Sequence, residues 1–130
     1  MPKSEGKLFK FDNSKSIHTD FLETINYRGK EQNITIETEE LTSVCPFSGL
    51  PDFMKVIIEY IPQKKIIELK SLKYYFISFR NVGIYQEDLT NRLFVDLEKT
   101  LTPKWIKVMT IYKTRGGINV TCVVENNKKG

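Results

Sequence analysis

Apolar residues along the chain change period several times. From Asn33 to Glu40, Ile34 and Ile36 alternate with threonines and glutamates, and this period of two predicts a strand. Phe53 to Ile61 is rich in β-branched and aromatic residues and reads as a second strand. Pro62-Gln63-Lys64-Lys65 reads as a turn and Ile66 to Leu69 as a third strand, so the pair is expected to form a hairpin. The period then lengthens. Leu72, Tyr75, Phe76 and Phe79 recur at helical spacing, predicting a helix from about Ser71 to Arg80 that ends at Asn81-Val82-Gly83. Leu89, Leu93, Leu97 and Leu101 follow at four-residue intervals with Phe94 beside them, predicting a second helix from about Gln86 to Leu101, stopped by Pro103. Alternation returns in Trp105 to Tyr112 and in Ile118 to Val124, with Arg115-Gly116-Gly117 as the hairpin turn between them.

Runs of strands with segregated helices indicate an α+β fold: an antiparallel sheet with two helices packed on one face. Residues 1–30 are polar with scattered aromatics, Phe9, Phe11, Phe21 and Tyr27, and read as a partly ordered arm whose rings dock on the domain or on a neighbour. His18 in this arm reads as a surface residue. Residues 31–125 form one domain, and the polar tail 126–130 is expected to fray. A chain of 130 residues buries only a modest core. If its site needs a deep pocket, a partner subunit supplies one wall.

Charge alters this picture little. A net charge of +4 and a pI near 9.0 suit an anionic ligand or weak attraction to nucleic acid, and equally a solvated lysine-rich surface. No apolar run approaches the ~18 residues of a membrane span, and Met1 to Lys10 lacks the apolar centre of a signal peptide. A cytoplasmic protein is expected. Cys45 and Cys122 make no disulfide framework, which fits a reducing compartment. With one histidine and no Cys-x-x-Cys, the chain falls short of the roughly three or four protein ligands of a zinc site. No metal is expected unless carboxylates or other chains complete a site.

Cys45 carries the sharpest candidate chemistry. It lies in Thr42 to Asp52, a stretch whose two prolines and glycine mark a loop. A nucleophilic cysteine usually has a histidine helper, and only distant His18 is available, so a protease-like triad is excluded. A thiolate can still add to a nitrile if a nearby acid protonates the nitrogen. Asp52, between Pro51 and Phe53, has apolar neighbours, and burial disfavours the charged form of a carboxyl group. A buried structural cysteine and a turn-capping aspartate explain the same residues. Cys122 alternates with Val120 and Val124 and reads as core. Lys70 and Lys73 share a face at a helix start, where they hold an anion or are simply solvated. The chain has no Gly-x-Gly-x-x-Gly fingerprint, so any dinucleotide binds outside a Rossmann fold. Glu87, after Gln86, suits the helix dipole. It, or Glu68, also suits the two donors of a guanine-type base.

Several blocks in order resemble a known family. They are Cys45-Pro46-x-Ser48-Gly49-x-Pro51-Asp52-Phe53, Glu68-Leu69-Lys70-Ser71-Leu72-Lys73-Tyr74-Tyr75, Ser78-Phe79-Arg80-Asn81 through Glu87-Asp88, Pro103-Lys104-Trp105 and Arg115-Gly116-Gly117. Over about Thr42 to Val124 the chain resembles the 7-cyano-7-deazaguanine reductases of queuosine biosynthesis, in their short, single-module form. The resemblance implies a tunnelling fold in homo-oligomeric rings with sites between subunits. It implies that Cys45 forms a thioimide with the nitrile of 7-cyano-7-deazaguanine and that Asp52 is the proton donor. Ile67, Glu68, Leu69, Gln86 and Glu87 become substrate contacts. NADPH is the implied cofactor, with Lys70 and Lys73 on its phosphates and Arg115 a further cofactor contact. Gln86 departs from the histidine of many members and cannot carry a proton as an imidazolium does. The substrate is a small molecule, and neither a membrane nor direct nucleic-acid contact is implied.

Three other readings compete. An archaeal group transfers ammonia to a nitrile on tRNA with the same cysteine chemistry, but is expected to lack the lysine motif seen here. Tunnelling-fold enzymes such as GTP cyclohydrolase use zinc, against which the histidine count stands. A basic RNA-binding module with exposed aromatics would have no requirement for Cys45.

Overall fold

The computed structural model describes residues 10–114 and 116–126. Seven strands and two α-helices follow in the order β1 (Thr24–Asn26), β2 (Ile34–Thr38), β3 (Thr42–Val44), β4 (Pro51–Ile61), β5 (Lys65–Ile67), α1 (Leu69–Ile77), α2 (Gln86–Leu101), β6 (Trp105–Tyr112) and β7 (Thr121–Glu125). The fold is α+β, and every pairing between these strands is antiparallel.

The long strand β4 is the spine. Asp52, Met54, Val56, Ile58 and Tyr60 are buried on one of its faces, as period-two alternation requires. Along one edge β3 pairs with Pro51 to Phe53 and β2 with Val56 to Tyr60. Along the other edge lies β6, and beyond it β7. Leu89, Leu93, Leu97 and Leu101 of α2 are all buried, and α1 adds Leu72, Tyr75 and Phe76 to the same core. Burying each such leucine contributes roughly 2 kcal/mol. Among the described residues no helix is long and apolar enough to cross a membrane.

The expected hairpin after β4 does not form. Tyr60 already pairs with Ile34 of β2 on one side and Ile106 of β6 on the other, so β4 has no free edge there. Instead β5 pairs with β1 from the N-terminal segment, and the Tyr60 hydroxyl accepts the Ile67 N–H at 3.1 Å. Leu69 is the first residue of α1 and not the end of a strand, because the Glu68 carboxylate caps that helix by accepting from Lys70 and Ser71 N–H, each at 2.8 Å. Residues Thr42 to Val44 form a strand where a loop was expected. The last strand starts at Thr121, since Gly116 and Gly117 turn the chain at positive φ of 61° and 79° and the exposed Ile118 makes only an isolated bridge. Cys122 is half-buried on the edge strand β7 and is not a core residue.

The N-terminal segment is docked on the domain. Asp12 N–H donates to Asn81 O and Gly83 N–H donates to Asp12 O, both at 2.7 Å. Phe11 lies so close over Gly83 that a Cβ there would come within 2.2 Å of its ring. Deeper in, the buried Asp96 of α2 accepts from the Tyr75 hydroxyl (2.7 Å), Arg92 Nε (2.8 Å) and the Thr19 hydroxyl (3.0 Å), joining both helices to the arm. His18 is on the surface, stacked on Phe21 with ring centroids 4.4 Å apart. Phe9 and the tail beyond Asn126 lie outside the described residues.

Candidate active site

Cys45 opens the loop of the β3–β4 hairpin. The loop closes on itself: Cys45 N–H donates to Leu50 O (2.8 Å) and Gly49 N–H donates to Cys45 O (2.7 Å), with Gly49 at φ 73°. Val44 ties the hairpin to the segment leading into α2, donating to Val82 O (3.0 Å) and accepting from Ile84 N–H (3.2 Å). That segment ends in Gln86 and Glu87, so Cys45, Asp52 and the start of α2 gather at one end of the sheet.

The thiol is half-buried and its pKa is lowered. Burial alone would raise it. The backbone N–H groups of Ser48 and Phe47 and the Ser48 hydroxyl outweigh that by donating to the sulfur, while the nearby Asp52 charge acts against them. A turn of amides thus takes the place of the missing histidine. Ser48, whose hydroxyl and amide act on the Cys45 sulfur, was given no role by the sequence reading, although a hydroxyl three positions after a cysteine in a tight loop was a usable clue.

Asp52 is 9% exposed. The cradle expected from Pro51 and Phe53 is corrected by the strand. Those side chains point to the opposite face, where both are exposed, and Asp52 faces inward opposite the fully buried Ser43 of β3. Phe47, Leu50 and Phe53 leave an exposed apolar rim around the hairpin. Gln86 is partly buried and Glu87 exposed. Tyr85 precedes them without a side-chain cap on α2, and Glu87 and Asp88 in the first turn suit the helix dipole.

The other candidate residues lie elsewhere. Ile67 is a core residue at the Tyr60 end of β4. At ~3.3 Å per residue, that end is about 25 Å along the strand from Asp52. Glu68, Lys70, Ser71 and Tyr74 line a cleft of about 470 Å³ with Phe21 of the arm, and Cys45 is not part of it. Leu69 is well exposed beside it. Lys73 lines a separate groove between α1 and β2, 3.9 Å from Glu40. Because Glu68 occupies the N–H groups at the start of α1, an anion there has the lysine side chains to bind and not the helix terminus. Within one chain, then, Cys45, Asp52, Gln86 and Glu87 stand at one end of the sheet and Ile67, Glu68, Leu69 and Lys70 at the other, with Lys73 in the groove between α1 and β2.

Comparison with known proteins bears on what these groups do. A family model described as QueF-like protein matches residues 51–130. The chain is 58% identical over 122 residues to the NADPH-dependent 7-cyano-7-deazaguanine reductase of Thermotoga petrophila, covering 93% of this chain and 89% of that protein. It is 46% identical over 128 residues to the reductase of the same name from Caldicellulosiruptor bescii, covering 97% and 98%. The chain belongs to the QueF-like family. Among solved structures, an archaeosine synthase QueF-Like protein in the apo form superposes with a TM-score of 0.65 at 25% identity, over 76% of this chain and 95% of that one. The tunnelling fold expected from the motif blocks is therefore the fold observed.

The phosphorylated cofactor named for these QueF-like relatives needs cationic donors, and two clefts supply them unequally. In the first cleft Lys70 stands beside the exposed Tyr74 ring but among the carboxylates of Asp20, Glu23 and Glu68, which oppose an anion there. A further cleft of about 570 Å³ presents Lys55, Lys113, Thr114, Asn119 and Thr121 with one carboxylate, Glu39. Cations next to neutral hydroxyl and amide donors are the groups a phosphate needs. Arg115 itself lies outside the described residues.

Proposed function

We propose that this chain reduces the nitrile of 7-cyano-7-deazaguanine to the aminomethyl group at the expense of NADPH, as a step toward queuosine in tRNA. The observation that carries the reading is the 58% identity to a reductase of that name over nearly the whole of both chains. The site chemistry supports it independently. A thiol with a lowered pKa, an inward-facing carboxyl group and no histidine suit nitrile addition better than acyl transfer.

In this reading the Asp52 carboxylate takes up the proton that the Cys45 thiol gives off, the thiolate attacks the nitrile carbon, forming a C–S bond, and Asp52 donates that proton to the nitrile nitrogen. The product is a neutral thioimide. Two molecules of NADPH, bound in turn, would supply one hydride each, which is the reducing power the four-electron change from nitrile to amine requires. Expulsion of the Cys45 thiolate after the first reduction is eased by the same amides of Phe47 and Ser48 that stabilise it at rest. Glu87 and Gln86 hold the purine-like edge, since a carboxylate accepts from both the ring N–H and the exocyclic amino group. Lys70, Lys73 and Arg115 hold the cofactor phosphates.

Ile67, Glu68 and Leu69 complete the substrate site from a neighbouring subunit. Their separation from Cys45 within one chain supports this, as do the open surface at Cys45 and the apolar rim of Phe47, Leu50 and Phe53. A homo-oligomeric ring brings opposite ends of adjacent sheets together. The enzyme acts on the free base, not on tRNA, in the cytoplasm, where Cys45 stays reduced.

The test is NADPH oxidation followed by absorbance. NADPH is consumed only when 7-cyano-7-deazaguanine is present, with two equivalents used per nitrile. No consumption by folded protein, or consumption without the nitrile, contradicts the reading.

A further inference from the structure

Two hydroxyls on the helix-covered face of the sheet are buried without a hydrogen-bond partner among the described residues: Ser43 Oγ and Tyr112 Oη. Ser43 has no exposed surface and Tyr112 only 5%. A buried hydroxyl left unpaired costs stability, so folded proteins rarely keep one without a reason. Here two occur together, and both flank Asp52. Ser43 is directly opposite Asp52 in the β3–β4 pairing, which places both side chains on one face with Cβ atoms about 5 Å apart. Tyr112 is opposite Met54, the next inward-facing residue of β4. Burial, and then the charges of Asp52, Cys122 and Glu87, push the Tyr112 pKa up against a smaller opposing effect of the Thr110 hydroxyl, so the Tyr112 hydroxyl keeps its proton close to those groups. The neighbouring Thr110 hydroxyl is engaged with Thr90 at 2.6 Å, and Thr90 in turn donates to Gln86 O.

Resting on the reductase reading above, we propose that Ser43 and Tyr112 are positioning residues, whose hydroxyls, unpaired in the resting structure, turn to the Asp52 carboxyl group as it gives up its proton to the nitrile nitrogen. A carboxylic acid that donates through one oxygen keeps the other as an acceptor. When its proton passes to the nitrogen, the carboxylate that remains accepts both hydroxyl protons in charge-assisted hydrogen bonds, which are stronger than those to the neutral acid. The hydroxyls therefore stabilise the transfer more than the ground state, which is the condition for a rate effect. The titratable groups about this pair are Cys45 from the β3–β4 loop, Glu87 from α2 and Cys122 from β7.

Ser43→Ala and Tyr112→Phe each delete one oxygen and leave Asp52 and Cys45 in place. The experiment measures the rate of thioimide formation against pH in each full-length variant, with KM for the nitrile and thermal midpoint alongside. Loss of a donor makes Asp52 a weaker acid, so the alkaline limb of the profile moves upward, by about half a pH unit or more. The plateau rate falls about tenfold while KM changes less than about threefold. Wild-type rates and an unmoved limb in both variants overturn the proposal. So does a loss explained wholly by less folded protein, with the rate per folded site and the limb unchanged. If the wild type reacts and the variants match it, only this inference fails. If the wild type itself neither forms the adduct nor oxidises NADPH, the reductase reading fails and this inference with it.

Discussion

Cys45 owes its acidity to a six-residue loop and to no other side chain but Ser48. Burial and the Asp52 charge oppose ionisation, and the donors from Phe47 and Ser48 overcome both. Removing one donor therefore weakens the thiolate. Ser48→Ala raises the Cys45 pKa and slows alkylation by iodoacetamide severalfold at neutral pH, while at high pH, where the thiol ionises in both proteins, the two rates converge. A pH–alkylation profile checks this, and coincident profiles for the two proteins contradict it. The proposed nucleophile and acid, Cys45 and Asp52, stood out in the sequence because Cys45-Pro46 and Pro51-Asp52 lie within recognisable motif blocks. Ser43 was not. A serine two places before a cysteine has no periodic or chemical signature, and its meaning appears only when the strand register sets it against Asp52.

Long elements announced themselves and short ones did not. The leucines of α2 and the alternation in β4 and β6 extend over enough residues for their periods to show. The three-residue strands β1, β3 and β5 do not, so the partner of β5 was misread: the edge it would have joined is occupied by β2 and β6, which local sequence cannot reveal. The docking of the arm was equally hidden, because Thr19 and Asp96 are 77 positions apart. Asp96 is the hinge of that docking. Asp96→Ala strands Arg92 and the Tyr75 hydroxyl and is expected to cost about 3 kcal/mol. The measurement is urea unfolding together with proteolysis of the arm. A midpoint equal to wild type, with the arm equally protected, contradicts the assignment.

At the scale of the whole molecule, the proposed function makes the two ends of one sheet complementary halves of a site. Cys45, Asp52 and Glu87 stand at one end and Glu68 with Lys70 at the other, separated by the length of β4. If neighbouring subunits join them, two inactive variants complement one another. Cys45→Ala co-expressed with Glu68→Ala yields mixed oligomers in which some interfaces hold both intact halves, and part of the activity returns. Mixed oligomers with no activity above the separate variants contradict a shared site.

The central claim is that Cys45 forms a covalent bond to a nitrile carbon. Intact mass of the protein after mixing with 7-cyano-7-deazaguanine, with NADPH left out, tests it most directly. The account predicts a gain equal to the whole mass of the nitrile, because addition expels no leaving group, and no gain in Cys45→Ala. An unmodified mass in folded wild-type protein, or the same gain in Cys45→Ala, would contradict it.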